Sequence, residues 1–400
     1  MKQTVRAMSD NAARLGTTDG DDLWKHARRS EGRARIEAAI ALAQSELRVI
    51  ARANELDAEP YLLTVENGTL DLRNGELDVH DRAHLITKLA PVVYETGAHD
   101  PRWERFLAET TQGDVELLDF LQRFAGYCLT GDTSEEVLLF AHGPTATGKS
   151  TLLDALKGTL GEYAVTADFE TFVRRRDGGG PRSGLAQLAG ARLVTSLEVD
   201  KGKELAEALV KALTGGDPVR ASFLYSDSFE YVPAFKLCLA ANHAPTVSDD
   251  DDAIWRRILR VPFEHQVPPE RRDRGLKAYL RRPNAAILAW ALEGSLAWQA
   301  HGLGVPRAVN DATAAYRADM DPLSDFVAER CVLAPGARVS TAALWGAYLD
   351  WARDGLEREM LSRQGLAERL QTRHVRAQRA RLDGRVTRFW SGIGLRDVTP

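Results

Sequence analysis

Gly143-Pro144-Thr145-Ala146-Thr147-Gly148-Lys149-Ser150 decides the reading of this chain. The octapeptide has the form GxxxxGK[ST], and its setting matters as much as its letters. Val137-Leu138-Leu139-Phe140 ahead of it is an apolar run of the buried-strand type, and Leu152, Leu153 and Leu156 behind it repeat at helical spacing. A strand that feeds a Gly-rich turn and then a helix is a phosphate cradle. The two glycines let the backbone curl until its N–H groups face the anion, and the helix N-terminus adds partial positive charge. On this reading Gly143 through Thr151 hold ATP, Lys149 neutralises the β- and γ-phosphates, and Ser150 places its hydroxyl on Mg²⁺. The competing reading, a chance Gly-rich loop, is weakened by the strand and helix on either side.

The residues that follow supply partners for such a site. Arg192 to Leu197 is an apolar strand candidate that ends at Glu198, a carboxylate able to polarise an attacking water; Asp200, two residues on, is a second candidate beside Ser150 and Glu198 for holding the metal. Leu197 stands before Glu198, so the common Asp-Glu pair is missing. Phe235 to Ala240 is another buried-type strand, and Asn242 just beyond it is placed either to orient water or, taken alone, to start a turn ahead of Pro245. Val219 to Leu224 and Ile258 to Val261 complete the strand candidates, and the alternation with helical stretches argues for a mostly parallel sheet flanked by helices. Arg256 and Arg257 precede the last of these strands. They read as an arginine that reaches a neighbouring subunit's ATP or as a solvated basic turn.

Outside this core the pattern changes twice. Residues 1 to about 58 are charged and Ala-rich, with Ile36, Ala39, Ile40, Leu42, Ala43 and Leu47 at helical spacing. Two Asn-Gly turns, at Asn67-Gly68 and Asn74-Gly75, then punctuate small antiparallel strands, and residues 101 to 130 return to helix. Residues 284 to 299 read as a helix, and Gly302, Gly304 and Pro306 read as a linker. Beyond it, Leu344, Tyr348 and Trp351 stripe one helix capped by Ser340 or Thr341, and Ser362 opens another with Leu366 and Leu370 inward. Arg373, Arg376, Arg379, Arg385 and Arg388 cluster around an Asp383-Gly384 turn between strand-like segments. A winged helix that binds nucleic-acid phosphates is the functional reading of this module; a solvated face or a subunit contact is the other. The expected domains are therefore a helical region over 1–132, a P-loop ATPase core over 133–305 and a winged-helix-like domain over 320–400.

Composition bounds the possibilities without choosing among them. The 400 residues carry a formal net charge of -5, which does not exclude nucleic-acid binding because binding needs a local basic patch. Cys128, Cys238 and Cys331 are far apart and form no CxxC pair, so buried thiols are expected rather than zinc ligands or disulfides. No long uncharged apolar run and no apolar leader is present, so no membrane partner is expected and a cytoplasmic protein is.

Taken in order, these pieces resemble a known series. The Gly-rich turn, the Glu198 strand, Lys211-Ala212-Leu213-Thr214-Gly215-Gly216-Asp217, the strand ending at Asn242 and Trp255-Arg256-Arg257 look like the signature of superfamily 3 helicases. More narrowly, the chain resembles the helicase portion of phage, plasmid and poxvirus-type primase-helicases. Asn67-Gly68-Thr69-Leu70-Asp71-Leu72, Gly126-Tyr127-Cys128-Leu129-Thr130-Gly131 and Tyr316 through Leu323 share that likeness, which runs from about residue 55 to the end. The resemblance implies an AAA-like ATPase assembled as a ring, usually a hexamer, that moves 3′-to-5′ along one DNA strand in a bacterial host's cytoplasm. By the same likeness Glu198 is the acid that activates water, Asn242 reads the γ-phosphate, and Arg257, with Arg256 beside it, is the finger acting in trans. Single-stranded and forked DNA are the implied substrates, and a separate primase or polymerase the implied partner. No primase domain fits before residue 55, so priming is not carried over. The hairpin tip Leu224-Tyr225-Ser226-Asp227-Ser228 lacks the basic residue of many relatives. DNA contact there falls to stacking by Tyr225 and charge from Arg220, unless Tyr225 only packs the hairpin. Two other functions stay open: an ATP-switched DNA-binding initiator or loader without processive unwinding, and a P-loop kinase for a small molecule. The kinase reading lacks an acceptor pocket and leaves the basic module unexplained.

Overall fold

The computed structural model describes residues 2–15, 18–46, 50–174, 183–197, 202–223, 226–247, 252–320, 323–354, 360–373, 375–382 and 385–396. The chain divides into two compact units, the first made of Met1–Ala58 with Arg82–Thr87 and the second of Glu59–Asp81 with Lys88–Pro400. In the first unit α1 (Lys2–Leu15), α2 (Thr18–Ser30) and α3 (Arg33–Ala43) follow one another. Gly20 lets α2 approach α1, since a Cβ there would lie 2.8 Å from the Ala12 carbonyl oxygen. The apolar stripe expected on α3 is helical but does not form a core: Ile40 and Leu42 are exposed. The N-terminal stretch of the first unit ends at Ala58, and the segment that follows belongs with the sheet domain.

The second unit opens with an antiparallel meander, β1 (Leu62–Val65), β2 (Gly68–Asp71) and β3 (Glu76–Asp78), joined by the two turns read from the sequence. Helices α4 (Pro101–Thr111) and α5 (Val115–Leu129) follow. Asp100 accepts from the N–H groups of Arg102 and Trp103, and Asp114 accepts from that of Leu117, so each helix starts on a carboxylate cap. β4 (Leu138–His142), α6 (Lys149–Leu160), β5 (Ala164–Thr166), α7 (Ser183–Ala186), β6 (Leu193–Leu197), α8 (Glu207–Thr214), the hairpin β7 (Val219–Ser222) and β8 (Ser228–Tyr231), β9 (Lys236–Ala241), α9 (Asp252–Trp255), β10 (Ile258–Pro262), α10 (Leu276–Leu280) and α11 (Ala285–His301) complete the α/β core. Five strands form one parallel sheet in the order β10-β4-β9-β6-β5. All six residues of β9 are buried, as a central parallel strand covered on both faces requires. Val219 to Ser222 does not join that sheet. It pairs antiparallel with β8 in a separate hairpin, where buried Val219 and Ala221 alternate with exposed Arg220 and half-buried Ser222.

Two features that no periodicity predicts hold this core to its flanks. Helices α5 and α11 cross at glycines: a Cβ on Gly126 would lie 2.0 Å from the Ser295 nitrogen, and one on Gly294 would lie 1.9 Å from the Gln122 carbonyl oxygen. At the N-terminal edge of the sheet, two buried cations gather carbonyls from the preceding segment. Arg192 donates to Leu129 O at 2.7 Å and Leu62 O at 2.6 Å, and Lys236 donates to Thr130 O at 2.6 Å with its Nζ over the Tyr127 ring.

α12 (Arg307–Met320) lies along β10, where Tyr316 is buried, donates to Pro245 O and packs against Phe140 and Trp255. The C-terminal module then builds its own core from α13 (Ser324–Arg330), β11 (Cys331–Ser340), α14 (Thr341–Asp354), α15 (Arg363–Thr372), β12 (Arg376–Leu382) and β13 (Arg385–Leu395). Its sheet runs β11-β13-β12 and is antiparallel. Ser340 Oγ accepts from Ala343 N, Ser362 Oγ accepts from Gly365 N, and Leu344, Tyr348, Trp351, Leu366 and Leu370 are buried, as the sequence pattern requires. The Asp383-Gly384 turn lies outside the described residues. Cys128, Cys238 and Cys331 are free and buried. Among the described residues no helix is long and apolar enough to cross a membrane.

Candidate nucleotide site

The Gly-rich turn sits where β4 ends. Gly143 has φ +151, and a Cβ on it would lie 1.9 Å from the Phe263 carbonyl oxygen just past β10, so a side chain has no room there. Ala146 adopts φ 60, a left-handed conformation that costs a non-glycine residue about 1 kcal/mol. The strand extension beyond β10 holds that turn: Val267 N donates to Ala146 O at 3.2 Å, and Gln266 Nε2 donates to Thr145 O at 3.1 Å. Gly148, at φ +94, ends the turn against α4, where a Cβ would meet Thr110 Oγ1 at 2.8 Å and the Phe106 ring at 3.0 Å. α6 starts at the next residue, so the unpaired N–H groups of its first turn face the turn's interior.

Lys149 is buried and folds over its own loop. Its Nζ donates to Gly143 O at 2.6 Å, Pro144 O at 2.5 Å and Thr147 Oγ1 at 3.2 Å. Burial pushes its ammonium below the usual value. A cavity of about 320 Å³ opens over the loop, lined by Thr145 through Thr151, by Ala240, Ala241 and Asn242 at the end of β9, and by Lys277 of α10. Lys277 is anchored by Asp154 of α6 at 3.2 Å. A second cavity of about 350 Å³ shares Ala146, Thr147, Gly148 and Thr151 and reaches Phe106, Thr110, Val267 and Leu276. Of the residues singled out in the sequence, Thr145 to Thr151 and Asn242 line one space, whereas Gly143 and Pro144 do not line it and Phe106, Thr110 and Lys277 were missed. Those three lie on helices whose patterns only signalled burial or solvent.

His142, also missed, stands immediately before Gly143. Its Nδ1 lies 2.9 Å from Arg260 Nη2, and burial, with the Arg260 and Lys149 charges behind it, lowers its pKa to about 4. The ring is therefore neutral at physiological pH and accepts from the guanidinium.

Glu198 and Asp200 lie outside the described residues, as does Tyr225. The backbone does show where the Glu198 strand ends: Leu197 of β6 pairs with Ala240 of β9, which puts the C-terminal end of β6 beside that of β9. Among the described residues no group of three or more His, Cys, Asp or Glu side chains could hold a metal.

Arg256 and Arg257 sit at the opposite end of the strands, just ahead of β10. Leu138 N donates to Arg257 O at 2.7 Å, so both arginines flank the start of β4, roughly 13 Å of strand from its loop end. They also differ from each other. Arg257 is buried, with Nη1 donating to Ala253 O at 2.7 Å and Nη2 paired with Glu136 Oε2 at 2.8 Å, whereas the Arg256 side chain is 66% exposed and lies 3.5 Å from the same carboxylate. Arg257 is thus held inside its own chain, and Arg256 projects from it.

Of the other basic candidates, Arg220 is exposed on β7 and donates to Ser228 Oγ. Arg373 is half-buried and donates to Ser324 Oγ, which gives it a role in holding α15 to α13. Arg376, Arg379 and Arg388 are exposed on the β12–β13 pair, and the Arg385 side chain lies outside what is described.

The family model described as D5 N terminal like matches residues 1–112, and a family of unknown function (DUF5906) matches residues 141–257. A protein of Acanthamoeba polyphaga mimivirus named as a helicase is 27% identical over 319 residues, covering 74% of this chain and 33% of that protein. One of African swine fever virus named as a primase is 24% identical over 323 residues, covering 74% of this chain and 34% of its own length. The solved apo structure of the NrS-1 C terminal region has a TM-score of 0.47 and 12% identity, covering 76% of this chain and 77% of that one. The chain spans about a third of the length of the curated relatives it matches. By these likenesses the chain resembles the D5-like primase-helicases of phages and viruses, with the D5-type match lying over residues 1–112.

Proposed function

We propose that this chain is an ATP-hydrolysing DNA helicase module that works as a ring, with each nucleotide held between two copies. The observation that carries the reading is the turn between β4 and α6. Gly143 and Gly148 are fixed there by contacts that no side chain could survive, and Lys149 and Asn242 face the cavity they frame. These residues fit a nucleoside triphosphate. The lysine's hydrogen bonds to Gly143 O and Pro144 O are what a phosphate would compete for, and the first-turn N–H groups of α6 suit an anion. The neighbouring cavity against Phe106 and Thr110 suits the base and ribose. Ser150 would hold Mg²⁺ with the phosphates, and bound ATP would supply the free energy of phosphoryl transfer. Lys149 orients the phosphates, Asn242 positions water beside the end of β6, and Glu198, next after that strand, accepts its proton.

The placement of the two arginines supports the ring. A cation at the far end of the strands from the loop can reach phosphates only in another copy, and Arg256 is exposed to do so. Six copies and 3′-to-5′ movement follow from the likeness to superfamily 3. The helix-strand-helix-helix-strand-strand order of the C-terminal module supports its reading as a winged helix that binds DNA. The test is a forked-duplex displacement assay run with an ATPase assay. Unwinding that needs ATP, together with turnover stimulated by single-stranded DNA, is expected. Turnover indifferent to DNA would overturn the reading.

A further inference from the structure

We propose that the C-terminal module holds a second ligand site, a pocket for one unpaired nucleotide of a single strand, with its phosphate on Arg363, Arg379 and Arg388 and its base against Trp345. The pocket goes beyond phosphate binding by a wing, although it rests on the reading of this module as nucleic-acid-binding.

The cavity measures about 410 Å³ and lies between α14, α15 and the β12–β13 pair. That is the scale of small-molecule sites, about 300–1,000 Å³, and unlike the convex surface a duplex backbone meets. Three cations crowd its mouth in arrangements that are unfavourable by themselves. Arg379 stands directly opposite Arg388 in the antiparallel ladder, where like charges repel. Arg363 is the first residue of α15, at the helix end whose partial charge is already positive. Among the described residues none of the three forms an ion pair, and all three are exposed. In a chain of net charge -5, carboxylates were available to neutralise these positions and were not used. An anion bound among the three guanidiniums resolves the repulsion.

The walls set two indoles among polar side chains, Thr341, Gln371 and Gln378. Trp345 is half-buried and stacks on Tyr348 at 5.6 Å and 26°, which holds its indole in one orientation. Trp390 is buried, on the same face of the strand pair as Arg379 and Arg388. A fixed indole beside a cluster of guanidiniums matches the two parts of a nucleotide. Paired bases already stack on their neighbours, so only an unpaired one can use the indole.

The experiment uses the full chain without ATP, so that its outcome is independent of hydrolysis. Fluorescence anisotropy is measured for a labelled short oligothymidylate and for a blunt hairpin duplex over a range of salt. Trp345→Leu is expected to weaken oligothymidylate binding about 5- to 150-fold with an unchanged salt slope, since stacking releases no counterions. Trp345→Phe keeps a stacking face and should recover most of that loss. The double variant Arg379→Gln/Arg388→Gln should weaken binding and reduce the slope of log affinity on log salt by about 0.7, the value for one phosphate contact on a single strand. If Trp345→Leu does not fold, the arginine pair and Trp345→Phe carry the test. Parental affinity in Trp345→Leu overturns the pocket, as do equal losses on oligothymidylate and hairpin. A parent chain that binds no single strand without ATP also removes the pocket while leaving the ATPase reading intact.

Discussion

Replacing Arg256 and Arg257 one at a time separates a structural arginine from one that acts across a subunit boundary. Arg257→Ala removes two hydrogen bonds made by a buried guanidinium, one to Glu136 Oε2 at 2.8 Å and one to Ala253 O at 2.7 Å. Breaking a fully buried ion pair costs about 3–5 kcal/mol, chiefly through the charge left behind. Here the Glu136 side chain is 42% exposed, so water takes over the abandoned carboxylate and that part shrinks. The orphaned Ala253 carbonyl adds about 1 kcal/mol. Glu136 is itself in the left-handed region at φ 52, and the pair helps to keep it there. A net loss of about 2–4 kcal/mol is expected. Arg256→Ala breaks only an exposed contact at 3.5 Å and should cost about 0–0.5 kcal/mol. Hydrolysis should show the reverse order. Arg256→Ala should bind ATP like the parent and turn over on the order of 10³-fold more slowly. The assays are urea unfolding with linear extrapolation and steady-state ATPase at saturating ATP. Mixing Arg256→Ala chains with Lys149→Ala chains should restore part of the activity, because some interfaces then pair an intact loop with an intact arginine. Parental turnover by Arg256→Ala refutes the assignment, as does a catalytic loss in Arg257→Ala with no loss of stability.

Other perturbations test the remaining parts. Lys149→Ala should abolish ATP hydrolysis while unfolding cooperatively near the parental urea midpoint, and measurable turnover in the purified variant would count against the cradle. Glu198→Gln should retain ATP binding by equilibrium dialysis and lose hydrolysis; a parental rate would move the general base to another acid. His142 prefers the neutral form in the fold, its pKa lying near 4 against 6.5 unfolded. The unfolded chain therefore takes up the extra proton between those values, so stability falls as pH drops from 6.5 to 4 and the loss is complete below 4. The full shift corresponds to about 3.4 kcal/mol, discounted to roughly 1–2 because the ring is only half-buried. His142→Gln should flatten the pH–stability curve by that amount across this window, and parallel curves for variant and parent would reject the claim. Gly294→Ala drives a Cβ to 1.9 Å from Gln122 O and should cost about 3 kcal/mol or more by forcing α5 and α11 apart; a parental urea midpoint would show that the crossing yields easily.

Much of this molecule is local and was legible in the residues. The strand before Gly143, the turn and the helix after it follow from four apolar residues, two glycines and a leucine repeat within about twenty positions. The meander follows from two Asn-Gly turns, and the C-terminal helices follow from Ser340 and Ser362 as caps with leucines and aromatics at helical spacing. Each is decided by backbone conformation and side-chain period, which neighbouring residues carry by themselves. β5 escaped because three residues are too few to show a period, and α12 because it shows little beyond a polar helix with Val309 and Tyr316 inward.

Tertiary structure alone decided which residues share a space. That β9 runs between β4 and β6 brings Asn242 to the loop at Gly143, although the two are about a hundred positions apart. The same sheet leaves Arg256 and Arg257 at the far end of its strands, and the partner Glu136 then chose between them. Two adjacent arginines have identical chemistry in the sequence, and only burial beside a carboxylate made one structural and left the other free. Arg192 and Lys236 read as ordinary basic residues at the start of strand candidates until the fold drew carbonyls from Leu62, Leu129 and Thr130 around them. The physical reason is the same in each case. Periodicity and turn chemistry act over a few residues, whereas desolvation and charge pairing depend on which distant segments the chain brings together.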